Sequence, residues 1–174
     1  MFSRDVSLVA VALVFVAGTT GAQEFGKFGR PATPEEIASW DISVGPDGIG
    51  LPAGSGSAKQ GEAVYVAKCL GCHGAKGKGA SALALAGGNG TIGKANQLKT
   101  IGSFWRYATT IFDYVYTAMP YPETKSLTHE ETYAVTAYLL NINGIIGENE
   151  VMNAETLPKV KMPNRDNFIP YIKE

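Results

Sequence analysis

The feature that most constrains this chain is the segment "CLGCH", residues 69–73. It contains the only two cysteines, Cys69 and Cys72, and His73 follows the second of them directly. Three kinds of site use such residues: a zinc ion, a redox-active dithiol, and a haem attached through two thioether bonds. Each of them makes a different demand on the rest of the sequence.

Zinc and dithiol chemistry both fit this sequence poorly. Structural zinc usually takes four nitrogen or sulfur ligands in two spaced pairs, whereas this chain has two cysteines and two histidines in all. Cys72 and His73 are also adjacent, so their joint ligation of one ion would be awkward. A thioredoxin-like dithiol follows a strand and opens a helix, but here a predicted helix precedes the pair. A disulfide across two intervening residues closes too small a loop to stabilise the fold much.

Covalent haem attachment accounts for all three residues. C-x-x-C-H is the attachment signature of c-type haem, in which both thiols add across the vinyl groups of the porphyrin. The thioether bonds prevent loss of the cofactor, and the histidine presents a ring nitrogen to the iron. The segment therefore predicts one covalently attached haem c, with Cys69 and Cys72 as attachment points and His73 as an axial ligand.

The second axial ligand has four candidates in the sequence: Met119, Met152, Met162 and His129. Met119 lies after a predicted helix in "YTAMPYP", where two prolines would stiffen the loop that offers its sulfur. Met152 and Met162 belong to the C-terminal tail and suit packing or surface roles, while His129 suits a solvated position in the first turn of a helix. We therefore predict that Met119 binds the iron; the alternative is a methionine that only fills core space.

Helical signals surround the cysteine segment, and no strong strand pattern occurs. Two capping boxes, Ser57 with Gln60 and Thr128 with Glu131, predict the starts of two helices. A third helix is predicted over residues 103–118, where an apolar stripe ends before a proline. The sequence therefore predicts a small all-α domain.

Two further features bear on packing. Gly61, inside the first predicted helix, would allow the alanine-bearing face of the last helix to cross close to it. Three aromatic residues are as suited to contact the haem as to pack in an ordinary core: Trp105, Tyr107 and Tyr116.

The N-terminus has the order of a secretory signal peptide. Arg4 precedes the apolar run "VSLVAVALVFVA" and the small residues "GTTGA", which predicts cleavage after residue 22. The run is shorter than the roughly 20 residues of a membrane-spanning helix, although an uncleaved anchor is the alternative. We expect an exported, soluble protein with no membrane span after cleavage. The formal net charge of −1 gives no basic footprint for nucleic acid.

Composition divides the remaining chain into three parts. A Gly- and Pro-rich N-terminal extension covers residues 23–56, the helical domain residues 57–146, and a Pro-containing C-terminal extension residues 147–174. Within the first part, "TPEEIASW" could form a short helix with Thr33 as its cap and Pro34 at its first position. The rest of both extensions is expected to be non-helical.

The segments "GEAVYVAKCLGCHG" and "YTAMPYP" resemble class I cytochrome c. The longer segments "GRPATPEEIASWDISVGPDGIGLPAGSGS" and "TIGSFWRYATTIFDYVYTAMPY" resemble the cytochrome subunit of Sox sulfur dehydrogenase, and related cytochromes partner periplasmic sulfite dehydrogenases. The resemblance covers nearly the whole mature chain, including both extensions.

The resemblance implies a class I cytochrome c-like domain with non-helical N- and C-terminal extensions. It implies haem attachment at Cys69 and Cys72 and axial ligation by His73 and Met119. It also implies a periplasmic partner with a molybdenum cofactor that oxidises a sulfur substrate, and a downstream cytochrome or oxidase that accepts the electrons. The family's subunit typically has two haem domains, whereas this chain has one C-x-x-C-H, which leaves the partner and the substrate open.

Two other functions remain open at this point: a free-standing periplasmic electron carrier, and a haem sensor or enzyme with a labile sixth ligand. The sequence shows no catalytic His–carboxylate or nucleophile arrangement, so we do not expect catalysis by this chain alone. The extensions, represented by residues 29–40 and 157–168, are expected either to dock the catalytic subunit or to wrap the chain's own core.

Overall fold

The computed structural model describes residues 29–169. The predicted signal peptide, residues 1–22, lies outside the described residues. The helices are α1 (Pro34–Trp40), α2 (Ala58–Lys68), α3 (Leu70–His73), α4 (Ala108–Ala118) and α5 (His129–Ile142); the strands are β1 (Ser55–Ser57) and β2 (Val151–Asn153). Short 3₁₀ turns occur at Ala75–Gly77, Tyr121–Glu123 and Leu157–Lys159. None of the helices in this part of the chain is both long and apolar enough to cross a membrane.

The predicted capping boxes begin α2 and α5. The Gln60 carboxamide accepts a hydrogen bond from the Ser57 backbone N–H at 2.9 Å, while the Ser57 hydroxyl accepts from the Gln60 N–H at 3.4 Å. Thr128 and Glu131 make the same reciprocal bonds at 2.8 and 3.1 Å. Each box satisfies N–H groups that have no partner within the helix, which confirms both predicted starts.

Helix α4 is shorter than predicted, because it begins at Ala108 and not near Ser103. The Ser103 hydroxyl accepts a hydrogen bond from the Thr100 N–H at 2.9 Å and donates to the Leu98 carbonyl at 2.5 Å, so it closes a turn. Tyr107, directly before the helix, has extended backbone angles. The predicted end is confirmed, since the helix stops just before the Met-Pro pair.

Helices α2 and α5 cross closely at Gly61, as predicted. A Cβ added at Gly61 would overlap the Ala134 carbonyl oxygen and lie 2.9 Å from the Tyr138 Cβ. One turn further along α2, the Tyr65 ring packs against the Tyr138 ring with a centroid distance of 5.0 Å. Helix α5 also packs against α4 and against both strands.

The two extensions meet in the antiparallel pair of β1 and β2, with Gly56 opposite Met152. The sequence analysis did not predict these strands. The C-terminal extension packs onto the core of its own domain through Met152, Leu157 and Met162, which are at most 3% exposed. The extension docks on its parent domain because these spaced apolar residues are its anchors.

The N-terminal extension is not wholly non-helical, since it contains α1 at the position that the Thr33 cap predicts. Residues after α1 are tied to the domain: the Val44 N–H donates to Asp113 at 2.8 Å, and the Tyr133 hydroxyl donates to the Pro52 carbonyl at 2.9 Å. Helix α1 itself has no buried residue. The extension is therefore anchored from Val44 onward, whereas α1 projects from the domain.

Candidate haem-binding site

A cavity of about 530 Å³ lies between α4, α5 and the chain around the cysteine segment. Its volume is within the range of about 300–1,000 Å³ that is usual for organic ligands and cofactors. Its lining is mainly aliphatic and includes Leu83, Leu85, Ile101, Ile111, Val115, Leu127, Val135 and Leu139. Such a lining suits a large, flat, apolar ligand.

The cavity brings together all four residues that the sequence singles out: Cys69, Cys72, His73 and Met119. The other three candidates for the second axial position do not line it. Met152 and Met162 are buried elsewhere in the core at 3% exposure each, and the His129 Nε2 lies 3.3 Å from the Tyr116 hydroxyl. Of the three methionines within residues 29–169, only Met119 lines this cavity.

His73 is oriented by a hydrogen bond that its Nδ1–H donates to the Leu83 carbonyl at 2.9 Å. The acceptor is held in place because the chain folds back over the cysteine segment, with the Ala82 N–H donating to the Cys72 carbonyl at 2.9 Å and the Gly79 N–H donating to the His73 carbonyl at 2.8 Å. A proton fixed on Nδ1 leaves the Nε2 lone pair free for a metal.

Met119 is placed by the periodicity of α4. Ile111, Val115 and Met119 are spaced by four residues, so they lie along one side of the helix, and all three line the cavity. The Met119 N–H donates to the Val115 carbonyl at 3.1 Å, which keeps the residue in register with the last turn. Pro120 then ends the helix and directs the chain away.

The cysteine environment favours attachment over dithiol chemistry. Both thiols are free; Cys69 is half-buried and Cys72 is exposed. Burial raises the pKa of the Cys69 thiol to about 11, with a smaller contribution from Cys72. A reactive dithiol needs a lowered pKa, so the structure gives no support to that alternative. Zinc gains none either, because no group of three or more metal-ligating side chains occurs within residues 29–169.

The charges around the cavity fit the two propionates of a haem. Among the described residues, the charged side chains of its lining are Lys68 and Lys99, and no carboxylate lines it. Lys68 pairs with Glu123 at 3.1 Å, whereas Lys99 makes no ion pair among the described residues and its ammonium lies 4.9 Å from the centroid of the Phe104 ring. Anions are stabilised near cations that lack a carboxylate partner, so Lys99 is suited to hold a propionate.

The three aromatic candidates separate in the structure. Trp105 lines the cavity, but Tyr107 and Tyr116 do not. The Arg165 guanidinium lies over the Tyr107 ring at 4.6 Å, and the Tyr116 ring contacts His129 edge-on.

The sequence analysis did not identify two groups of the site, the Leu83 carbonyl and Lys99. No side-chain pattern marks a backbone acceptor, and Lys99 is brought to the cavity only by the tertiary fold.

Comparisons with known proteins bear on the class of this protein. The cytochrome c family model matches residues 58–143. A chain in the crystal structure of the sulfane dehydrogenase SoxCD from Paracoccus pantotrophus is 42% identical; the match covers 83% of this chain and 71% of that chain, with a TM-score of 0.79. The comparison with curated proteins gives no match.

The helical fold and its apolar cavity, with a C-x-x-C-H segment at the rim, define a c-type haem protein. The chain belongs to the cytochrome c family, as its likeness to the SoxCD chain and the family model show. Family membership implies covalently bound haem c and a role in electron transfer.

Proposed function

We propose that this cytochrome is the electron-transfer subunit of a periplasmic, molybdenum-dependent sulfur or sulfite dehydrogenase, and that it passes electrons to a downstream respiratory cytochrome or oxidase. The observation that carries this proposal is the 42% identity to the SoxCD chain over 83% of the present chain. The likeness therefore extends well beyond residues 58–143, the part that any cytochrome c would share.

In this proposal the thiols of Cys69 and Cys72 would form the two thioether bonds to haem c, and His73 and Met119 would ligate its iron. With both of these ligands supplied by the chain, the iron would be closed to substrates. Haem c, when bound, takes up and releases one electron at a time. The Leu83 carbonyl keeps His73 in one tautomer and orientation, so that little rearrangement accompanies each transfer.

Two properties of the chain favour the reduced state. The Met119 thioether raises the reduction potential relative to a second histidine. The aliphatic lining removes water from the cavity, which disfavours the additional positive charge of the oxidised state. Both effects support a carrier that accepts electrons readily from a dehydrogenase.

Electron exchange needs a place where a partner comes close to the cofactor. Leu83 and Tyr121 line the cavity and are nonetheless 85% and 83% exposed. They form an apolar rim at the cavity mouth, together with the exposed Cys72. This rim supports electron transfer at the surface over chemistry on an enclosed substrate.

The structure distinguishes the two extensions as docking candidates. The C-terminal segment 157–168 packs its apolar residues on its own domain, which favours the wrapping alternative there. In α1, by contrast, Ile37 is 54% exposed and Trp40 is 86% exposed. Two local interactions support α1: the capping box of Thr33 with Glu36, and the ion pair in which Arg30 donates to Glu36 at 2.7 Å. We propose that α1 docks the catalytic subunit.

Capture of the partner from native periplasm tests the proposed function. With the mature holoprotein as bait, we expect a captured complex that contains molybdenum and iron, and whose haem is reduced when sulfite or a sulfane-sulfur compound is added. Capture without molybdenum, combined with rapid electron exchange with an oxidase, would instead indicate a free-standing carrier. Rapid carbon monoxide binding by the reduced protein would indicate a sensor or haem enzyme.

The α1 proposal has its own test in the double variant Ile37→Ser with Trp40→Ser. Because an aromatic anchor buried in an interface commonly contributes 2 kcal/mol or more, we expect the affinity for the molybdenum subunit to fall by about 30-fold. Surface plasmon resonance with the purified partner would measure it. Ile49→Ser is the matched control, since Ile49 is 75% exposed in the same extension but lies outside α1. Equal affinity of the double variant and this control would contradict docking through α1.

A further inference from the structure

The loop that follows Met119 is held to the rest of the domain by few contacts. Residues 121–126 are all exposed, and Leu127 is the first buried residue after Pro120. The backbone hydrogen bonds of this loop are internal: the Glu123 N–H donates to the Pro120 carbonyl at 2.9 Å, and the Ser126 N–H donates to Glu123 at 3.2 Å. They shape the loop but do not attach it to the domain.

One polar interaction connects this loop to the rest of the domain. The Lys68 ammonium donates to the Glu123 carboxylate at 3.1 Å, and within residues 29–169 it is the one hydrogen bond or ion pair between residues 120–127 and the remainder of the domain. Lys68 is the last residue of α2, lines the cavity and directly precedes Cys69. The ion pair therefore joins the haem-attachment segment to residues 120–127, the loop that directly follows Met119 and is called the Met119 loop below.

We propose that the Lys68–Glu123 ion pair is a latch that keeps the Met119 loop closed over the cavity. The latch rests on the proposed ligation by Met119, and Lys68 and Glu123 act through that residue as positioning residues. When the pair is broken, the loop keeps its internal hydrogen bonds but loses its polar attachment, so the sulfur leaves the cavity more often.

The size of the effect follows from the exposure of the pair. The Lys68 side chain is 41% exposed and that of Glu123 is 61% exposed. Ion pairs in such positions are weak and screened by salt, so loss of the latch should increase loop opening about two- to fivefold at low ionic strength. At high ionic strength the difference should vanish, because screening opens the latch in the wild type too.

Imidazole binding to the ferric holoprotein measures loop opening, because imidazole takes the axial position only when Met119 leaves it. Loss of the far-red absorption band of methionine-ligated ferric haem reports the exchange. The variants are Glu123→Gln, Lys68→Gln, and the charge swap Lys68→Glu with Glu123→Lys. Glu155→Gln serves as the control, since the Glu155 side chain is exposed and makes no hydrogen bond.

We expect both single variants to bind imidazole about two- to fivefold more tightly than the wild type at low salt and equally at 1 M salt. The charge swap should return the affinity to the wild-type value. Unchanged affinity, a change that persists at high salt, or no rescue by the swap would overturn the latch alone. Absence of the far-red band from the wild type would overturn Met119 as the ligand, and the latch with it.

Discussion

Met119→Ala should give a holoprotein that keeps its covalently bound haem and binds carbon monoxide rapidly when reduced. The variant removes the proposed sulfur ligand but leaves Cys69, Cys72 and His73 in place. Its reduction potential should fall, because water or another hard ligand favours the oxidised state more than a thioether does. Axial ligands tune haem potentials over about 0.8 V, and we expect a decrease on the order of 0.2 V. Carbon monoxide flash photolysis and a redox titration would measure the two effects.

The controls are Met162→Leu and Met152→Leu. Both residues are buried, but neither lines the cavity, so each change should leave the potential and the far-red band as in the wild type. Leucine conserves most of the volume of methionine, which limits the loss of stability to less than about 1.5 kcal/mol. If Met119→Ala kept the wild-type spectrum while one control lost it, a methionine of the C-terminal extension would be the ligand.

Gly61→Leu should strongly destabilise the domain. Even a single added Cβ would overlap the Ala134 carbonyl oxygen, a backbone atom that can move only if α5 moves with it. Overpacking of a core commonly costs about 1–3 kcal/mol, and the rigid obstacle here places the change at the upper end or beyond. For a chain of this length, a loss of about 4 kcal/mol lowers the melting temperature by roughly 10 °C. Circular dichroism of the holoprotein during heating would measure it.

A matched pair of smaller changes in α2 separates the clash from the general effect of a substitution in this helix. Gly61→Ala should lower the melting temperature, because its methyl group meets the same carbonyl oxygen. Val66→Ala is the control, since Val66 lies in the same helix and is 55% exposed. Alanine is favoured over valine in a helix, so this variant should melt close to the wild-type temperature. A Gly61→Leu protein that melted at the wild-type temperature would refute the close crossing.

The parts of the fold that the sequence predicts are those fixed by local chemistry. A capping box needs only residues three apart, which is why Ser57 and Thr128 identify helix starts without knowledge of the tertiary structure. The end of α4 at Pro120 is equally local. Met119 directly precedes this proline, so its place at the end of α4 follows from the same local signal, and the C-x-x-C-H segment supplies the rest of the candidate site.

The parts that the sequence does not predict depend on distant neighbours. Strand β1 is "SGS" and carries no alternating pattern, so its pairing with β2 is set by residues far along the chain. Tyr116 follows Val115 directly, so it points about 100° away from Val115 around α4. The aromatic character of Tyr116 does not show which side of the helix faces the cavity. Lys99 reaches the rim only because the Thr100–Ser103 turn places it there.

The pairing of Gly56 with Met152 has a consequence for the order of events during biogenesis. The two strands are almost a hundred residues apart in sequence, so a chain that emerges from its amino end cannot pair them until residues 151–153 are available. Until then the cysteine segment lies in a domain whose two strands have not yet paired. Covalent attachment thus has a natural time window in which a bulky porphyrin can be installed before β1 and β2 pair.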